Sequence, residues 1–161
     1  MQTIQRLPYL KLNKPSIAFD KEIVGVGMSC PGPLDLIEGK ILTTPNLHGE
    51  WHGLCITKEL EKLIHKPVYL ENDANLAALA EAIIGEGKEY NIVQYLTVST
   101  GLGAGLVINK KVFQGAHGFA NEVANVCLWN NGPSHGSIYP GGVEAICSGN
   151  CQLSNVQKMQ D

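Results

Sequence analysis

Three groups of residues in this 161-residue chain stand where they could do chemistry. Asp73, in Glu71-Asn72-Asp73, lies between an apolar run and an Ala/Leu-rich stretch, so it falls where a strand ends and a helix begins. Open α/β sheets bind ligands at such strand ends, and a carboxylate there can serve as general base toward a hydroxyl. A helix N-terminus favours its negative charge. The same place is the usual N-cap, and position alone favours capping; if Asn72 caps, Asp73 is released for chemistry. The second group is the turn Ser99-Thr100-Gly101-Leu102-Gly103-Ala104-Gly105, whose glycines let backbone N–H groups approach an anion. A dinucleotide fingerprint needs a helix after its glycines, whereas Leu106-Val107-Ile108 continues as a strand, and no Gly-Lys-Ser/Thr follows. That leaves a hairpin phosphate loop, or a glycine-lined turn that binds nothing. The third group is Glu122 and Glu144, both set among small residues and glycines. A carboxylate accepts paired hydrogen bonds from vicinal hydroxyls, which is what a polyol presents. For Glu144 the alternative is a helix-start carboxylate favoured by the dipole. His117 and His135 have no second ligand at metal spacing and read as loop histidines.

The elements that must position these groups follow from periodicity and punctuation. Ile23 to Met28 predicts a strand running into the stiff turn Ser29-Cys30-Pro31-Gly32-Pro33, and Lys40 to Thr44 a second short strand closed by Pro45-Asn46. Thr57 is placed to cap a helix over Lys58 to Ile64, with Leu60, Leu63 and Ile64 on one face and Pro67 beyond its end. Pro67 to Leu70 predicts a buried strand. Ala74 to Ile84 predicts a helix rich in Ala and Leu, with Leu76, Leu79, Ala80 and Ile83 at helical spacing and Gly85 as its stop. From Ile92 an antiparallel meander is expected, with Asn109-Lys110 as a tight turn before Lys111-Val112-Phe113. A soft domain boundary falls at residues 85 to 90.

Composition limits the partners. A net charge of -3, 44% apolar and 17% charged residues describe an ordinary globular chain. Arg6 is the only arginine, and no more than two basic residues are adjacent, so nucleic acid and anionic membrane surfaces are not expected partners. The five dispersed cysteines form no Cys-x-x-Cys pair, which argues against a disulfide framework or structural zinc and for a reducing cytoplasm. Neither a secretory signal nor an apolar stretch of bilayer length is visible.

Taken in order, Gly25-Val26-Gly27-Met28-Ser29-Cys30-Pro31-Gly32-Pro33-Leu34-Asp35, Pro45-Asn46-Leu47, Glu71-Asn72-Asp73-Ala74-Asn75 and Ser99 to Gly105 resemble the ROK family of sugar kinases and sugar-responsive repressors. The match continues through Asn121-Glu122-Val123-Ala124-Asn125 and Gly142-Val143-Glu144. The resemblance implies an α/β, actin-like ATPase (ribonuclease H-like) fold, here an incomplete two-lobe architecture. Residues 1–88 would be the remainder of the small lobe and 89–161 the first part of the larger one. It implies that Asp73 deprotonates a sugar hydroxyl, with Asn72 a sugar ligand beside it and Glu122 and Glu144 further sugar contacts. Gly32 and Asn46 would line the sugar pocket, and Thr100, Gly101 and Gly103 would lie in the second phosphate loop of the nucleotide site. The implied reaction is attack of a hexose or amino-hexose hydroxyl on the γ-phosphate of Mg2+-ATP by a cytoplasmic homo-oligomer, a dimer.

Three departures from the family pattern matter. Nothing from Met1 to Glu22 matches the Asp-x-Gly-Gly-Thr phosphate loop. Asn125 stands where many members have histidine, and Ser134 to Gly142 replaces their cysteine-rich loop, so zinc is not expected. The chain also stops at Asp161, before the helices that complete the larger lobe, and so looks like the central part of a ROK protein. Three readings stay open: a hexose kinase or its sugar-binding core, a non-catalytic sugar-binding regulator, and a truncated chain with neither activity that folds by pairing with another chain.

Overall fold

The computed structural model describes residues 24–43, 49–136 and 138–151, which fall into two compact units divided between Asp73 and Ala74. In the first unit, strand β1 (Val26–Cys30) pairs in parallel with β4 (Val68–Asn72), in a register that sets Val26 against Val68 and Cys30 against Asn72. Between them run a two-residue hairpin, β2 (Leu34–Asp35) with β3 (Lys40–Ile41), and helix α1 (Ile56–Ile64). A parallel pair needs such a crossover connection, and α1 is its helical part. Cys30, Leu34, Ile41, Trp51 and Ile56 form the buried core of this unit, with Met28, Leu36, Leu54, Leu60 and Leu70 packed against it.

Several local expectations are corrected here. Helix α1 begins at Ile56, two residues before the Lys58 start expected with Thr57 as its cap. Thr57 lies inside the helix and is buried, and its hydroxyl and backbone N–H both face the carbonyl of Gly39, at 3.4 and 3.3 Å. A tertiary acceptor has claimed the side chain that local sequence assigns to capping. Leu63 is 42% exposed, so the face turned to the core is Ile56 and Thr57, with Leu60 packed beside it, rather than one that includes Leu63. Helix α1 ends on His65 in the left-handed conformation, whose N–H reaches the carbonyl of Glu61 at 2.9 Å. Strand β1 continues through Ser29 and Cys30, β3 stops at Ile41, and Ile23 and Thr44 lie outside the described residues.

In the second unit, β5 (Ile92–Val98), β6 (Leu102–Ile108) and β7 (Lys111–Val112) form an antiparallel sheet in that order, the expected meander. Asn109 and Lys110 both have positive φ, 51° and 62°, as a two-residue hairpin turn matched to strand twist requires. Helix α2 (Asp73–Ile83) lays Ala74, Ala78 and Ala82 on this unit's core, where Ala78 and Ala82 cluster with Val107. The larger residues are not its main buried face, and Ile83 is 53% exposed. The reason is close approach. A Cβ on Gly105 would sit 2.6 Å from the Ala74 carbonyl oxygen, and one on Gly103 would sit 3.3 Å from the Ala74 Cβ, so helix and strand meet through their smallest residues. Residues 85–90 form the turns between α2 and β5, and beneath them the Lys110 ammonium donates to the carbonyls of Ala82, Lys88 and Tyr90 at 2.6 to 3.0 Å. A 3-10 turn (Val123–Asn125) and helix α3 (Val143–Cys147) complete the unit. No helix among the described residues is long and apolar enough to cross a membrane.

Candidate functional site

In the first unit the polar end of the parallel pair gathers the expected residues. Strand β4 runs through Glu71 and Asn72 and gives way to α2 at Asp73 with no loop residue between them. The strand expected over Pro67 to Leu70 therefore runs two residues further, because Glu71 and Asn72 are in the ladder and Asn72 pairs with Cys30. Beyond Cys30 the neighbouring strand leads into Pro31 and Gly32, and the Gly32–Pro33 peptide is cis. Asp73 is exposed, whereas Asn72 and Gly32 are half-buried. Cys30 is 6% exposed; burial first, and then the negative charge of Asp73, push its thiol above the ordinary value of 9.0. That thiol beside the acid was not singled out in the sequence, although its place just before Pro31-Gly32 at a strand end was a usable signal. Asn46 lies outside the described residues.

The second unit holds the glycine turn. Ser99 N–H donates to the Gly101 carbonyl at 2.9 Å and closes the turn between β5 and β6. Gly149 N–H, just after α3, donates to the Ser99 carbonyl at 2.8 Å. From the first turn of α3, the half-buried Glu144 sends its Oε2 to the Leu102 N–H at 2.8 Å. The carboxylate lies so close over the turn that a Cβ on Gly101 would be 2.6 Å from that same oxygen. The turn thus accommodates an anionic oxygen on a backbone donor, which is the fit a phosphate oxygen requires. Thr100 is exposed at its tip. Gly103 lies within β6 against Thr97 and Ala74, so its lack of a side chain serves packing.

Glu122 is exposed and occupies the position before the 3-10 turn, which packs against α3. Val143 N–H donates to the Val126 carbonyl at 2.9 Å, and Cys127 bridges to Gly142, so the segments bearing Glu122 and Glu144 are tied together. Asn125 takes part in that tie, its Oδ1 accepting the Tyr139 N–H at 3.1 Å. His117 is exposed and His135 half-buried, and no group of three His, Cys, Asp or Glu placed to hold a metal ion occurs among the described residues.

Comparison with known proteins gives this geometry its context. A protein-family model described as "ROK family" matches residues 12–161. The chain is 38% identical over 108 residues to the xylose repressor of Caldicellulosiruptor bescii, covering 67% of this chain and 27% of that protein. It is 36% identical over 123 residues to the glucokinase of Thermotoga maritima, covering 76% of this chain and 38% of that one. The chain therefore spans about a third of the length of such curated relatives. Among solved structures, the ROK hexokinase from Thermus thermophilus superposes with a TM-score of 0.77 at 36% identity, over 85% of this chain and 45% of that one. A ROK family glucokinase from Streptomyces griseus, in complex with glucose and AMPPNP, superposes with a TM-score of 0.71 at 29% identity, over 86% and 46%. With its mixed α/β elements forming part of the actin-like ATPase fold, the chain belongs to the ROK family.

Proposed function

We propose that this chain is the sugar-handling and phosphate-loop portion of a ROK kinase that transfers phosphate from Mg2+-ATP to a hydroxyl of a hexose or amino-hexose. The observation that carries the reading is the exposed carboxylate of Asp73 at the end of the β1–β4 parallel pair, as the first residue of α2. In this reading Asp73 accepts the proton of the attacking hydroxyl, and Asn72 holds a neighbouring hydroxyl through its side-chain amide. Glu122 and Glu144 accept hydrogen bonds from further hydroxyls, while Gly32 and Asn46 line the sugar's surroundings. Thr100 and Gly101, with the Leu102 amide, face the phosphates, and Gly103 keeps the turn seated on α2. ATP supplies the phosphoryl group and Mg2+ the neutralisation of its charge. With one arginine in the sequence, backbone donors carry much of the protein's share. Residues 1–88 belong to the small lobe and 89–161 to the larger one, in a cytoplasmic dimer. The glucokinase and N-acetylmannosamine kinase relatives support this choice of substrate class.

The test is turnover of ATP with a panel of hexoses and amino-hexoses. Asp73→Asn is expected to lower kcat by about 10²- to 10⁴-fold, the usual contribution of a general base, while sugar binding persists. Loss of fold in that variant would show that the carboxylate is a helix cap.

The match to xylose repressors favours a second reading, a non-catalytic sugar-binding regulator. A thermal shift with sugar and none with ATP would support it over the kinase.

A further inference from the structure

Glu144 was expected to meet a polyol, yet its carboxylate lies on the glycine turn. We propose that Glu144 is a gate on nucleotide binding: its carboxylate occupies the backbone donor that a phosphate oxygen needs, and a sugar that draws it away frees the turn. The identity of both ligands rests on the kinase reading above.

The contact is built for this. Glu144 Oε2 accepts the Leu102 N–H at 2.8 Å, and the same oxygen fills the space that any side chain at position 101 would require. A carboxylate and a phosphate oxygen ask the same thing of a backbone amide, and one N–H makes one strong bond. Two anions also repel across so short a distance. Nucleotide phosphate must therefore displace Glu144 before it can use this donor. The turn itself is held from the other side by Gly149 N–H on the Ser99 carbonyl at 2.8 Å, so movement of the Glu144 side chain need not unmake the turn. A polyol offers the carboxylate a pair of hydroxyl donors in exchange for the single amide, which gives it reason to leave. Sugar and nucleotide then bind cooperatively, and linkage makes the coupling reciprocal. Glu144 is in this sense a positioning residue of the loop as well as a sugar contact.

The experiment measures AMPPNP binding to the purified chain by calorimetry, with and without saturating D-glucose or N-acetylmannosamine, for the wild type and Glu144→Ala, which removes the acceptor from the Leu102 N–H. The expected result is nucleotide affinity on the order of ten-fold tighter with sugar in the wild type, and tight, sugar-independent binding in the variant. The Leu102 amide proton gives an independent readout in the wild type. It is expected downfield, as for a carboxylate-bound N–H, and is expected to move upfield when sugar alone is added. AMPPNP binding that ignores sugar in the wild type, or a Leu102 amide that sugar leaves unmoved while binding, would overturn the gate and leave the kinase reading standing. Absence of AMPPNP binding under every condition would overturn both.

Discussion

Replacing Gly105 with alanine tests the seating of α2 on β6, on which the placement of the proposed base depends. Gly105, in β6, pairs with Tyr95 of β5, and the added Cβ would lie 2.6 Å from the Ala74 carbonyl oxygen, 2.8 Å from the Ala78 Cβ and 2.9 Å from the Asn75 Cα. None of these atoms is the far end of a flexible side chain. Relief requires α2 to retreat by about 0.8 Å, to reach the 3.4 Å at which ordinary contact begins. Overpacking of this kind costs about 1–3 kcal/mol, and three simultaneous contacts, two of them to backbone, place Gly105→Ala near ~3 kcal/mol. Gly103→Ala meets only Thr97 Cγ2 at 3.0 Å and Ala74 Cβ at 3.3 Å and should cost about 1 kcal/mol. At Gly27 nothing lies within 4 Å, and Gly27→Ala should fall within about 0.5 kcal/mol of the parent. Urea denaturation followed by far-UV circular dichroism reads the series. With a slope of about 1–3 kcal/mol/M, the Gly105 variant should lose at least ~1 M in midpoint. A Gly105→Ala midpoint within the spread of Gly27→Ala would refute the close approach of helix and strand.

Two further outcomes follow from side chains in each unit. Lys110→Met removes an ammonium that donates to the carbonyls of Ala82, Lys88 and Tyr90, and should cost about 1–2 kcal/mol in the same denaturation assay. Lys110→Arg should restore little of this, because a planar fork does not fill a convergent cup of carbonyls. The Cys30 thiol, raised above 9.0 by burial and then by Asp73, should alkylate with iodoacetamide more slowly than the exposed Cys127, as read by peptide mass spectrometry between pH 8 and 9. Asp73→Asn should speed Cys30 labelling. Since the folded thiol holds its proton more tightly than the unfolded one, its contribution to stability is complete below pH 9.0 and is lost as pH rises through the raised value.

What sequence alone made visible was local. The meander and its Asn109-Lys110 turn were readable because alternation and a two-residue turn leave a pattern that neighbours in the chain determine. The continuation of Gly103 and Gly105 into a strand was readable for the same reason. What failed depended on partners distant in sequence. Thr57 looked like a cap because Gly39, eighteen residues away, is invisible to local pattern. In α2 the leucines outweighed the alanines until the glycines of β6 showed that the interface selects for small residues. The expected strand stopped at Leu70 because Glu71 and Asn72 are polar, and the parallel partner β1 keeps those residues in the ladder. Candidate site residues were proposed from type and order; that Glu144 lies on the Leu102 amide, forty-two positions away, was a fact of tertiary structure alone.

The seamless passage from β4 to α2 has an implication for how substrate preference could be altered. Because no spacer separates Asn72 from Asp73, lengthening or shortening the chain there would shift the pleat of a strand and the phase of a helix at once. Freedom to diversify lies instead in the described residues 115–136 and 138–142, where Gly115, Gly118, Asn121, Asn131, Gly136 and Gly141 all take left-handed conformations and regular structure is sparse. Under the proposed kinase reading, a library meant to retune the sugar site should vary that stretch and leave the β4–α2 junction intact.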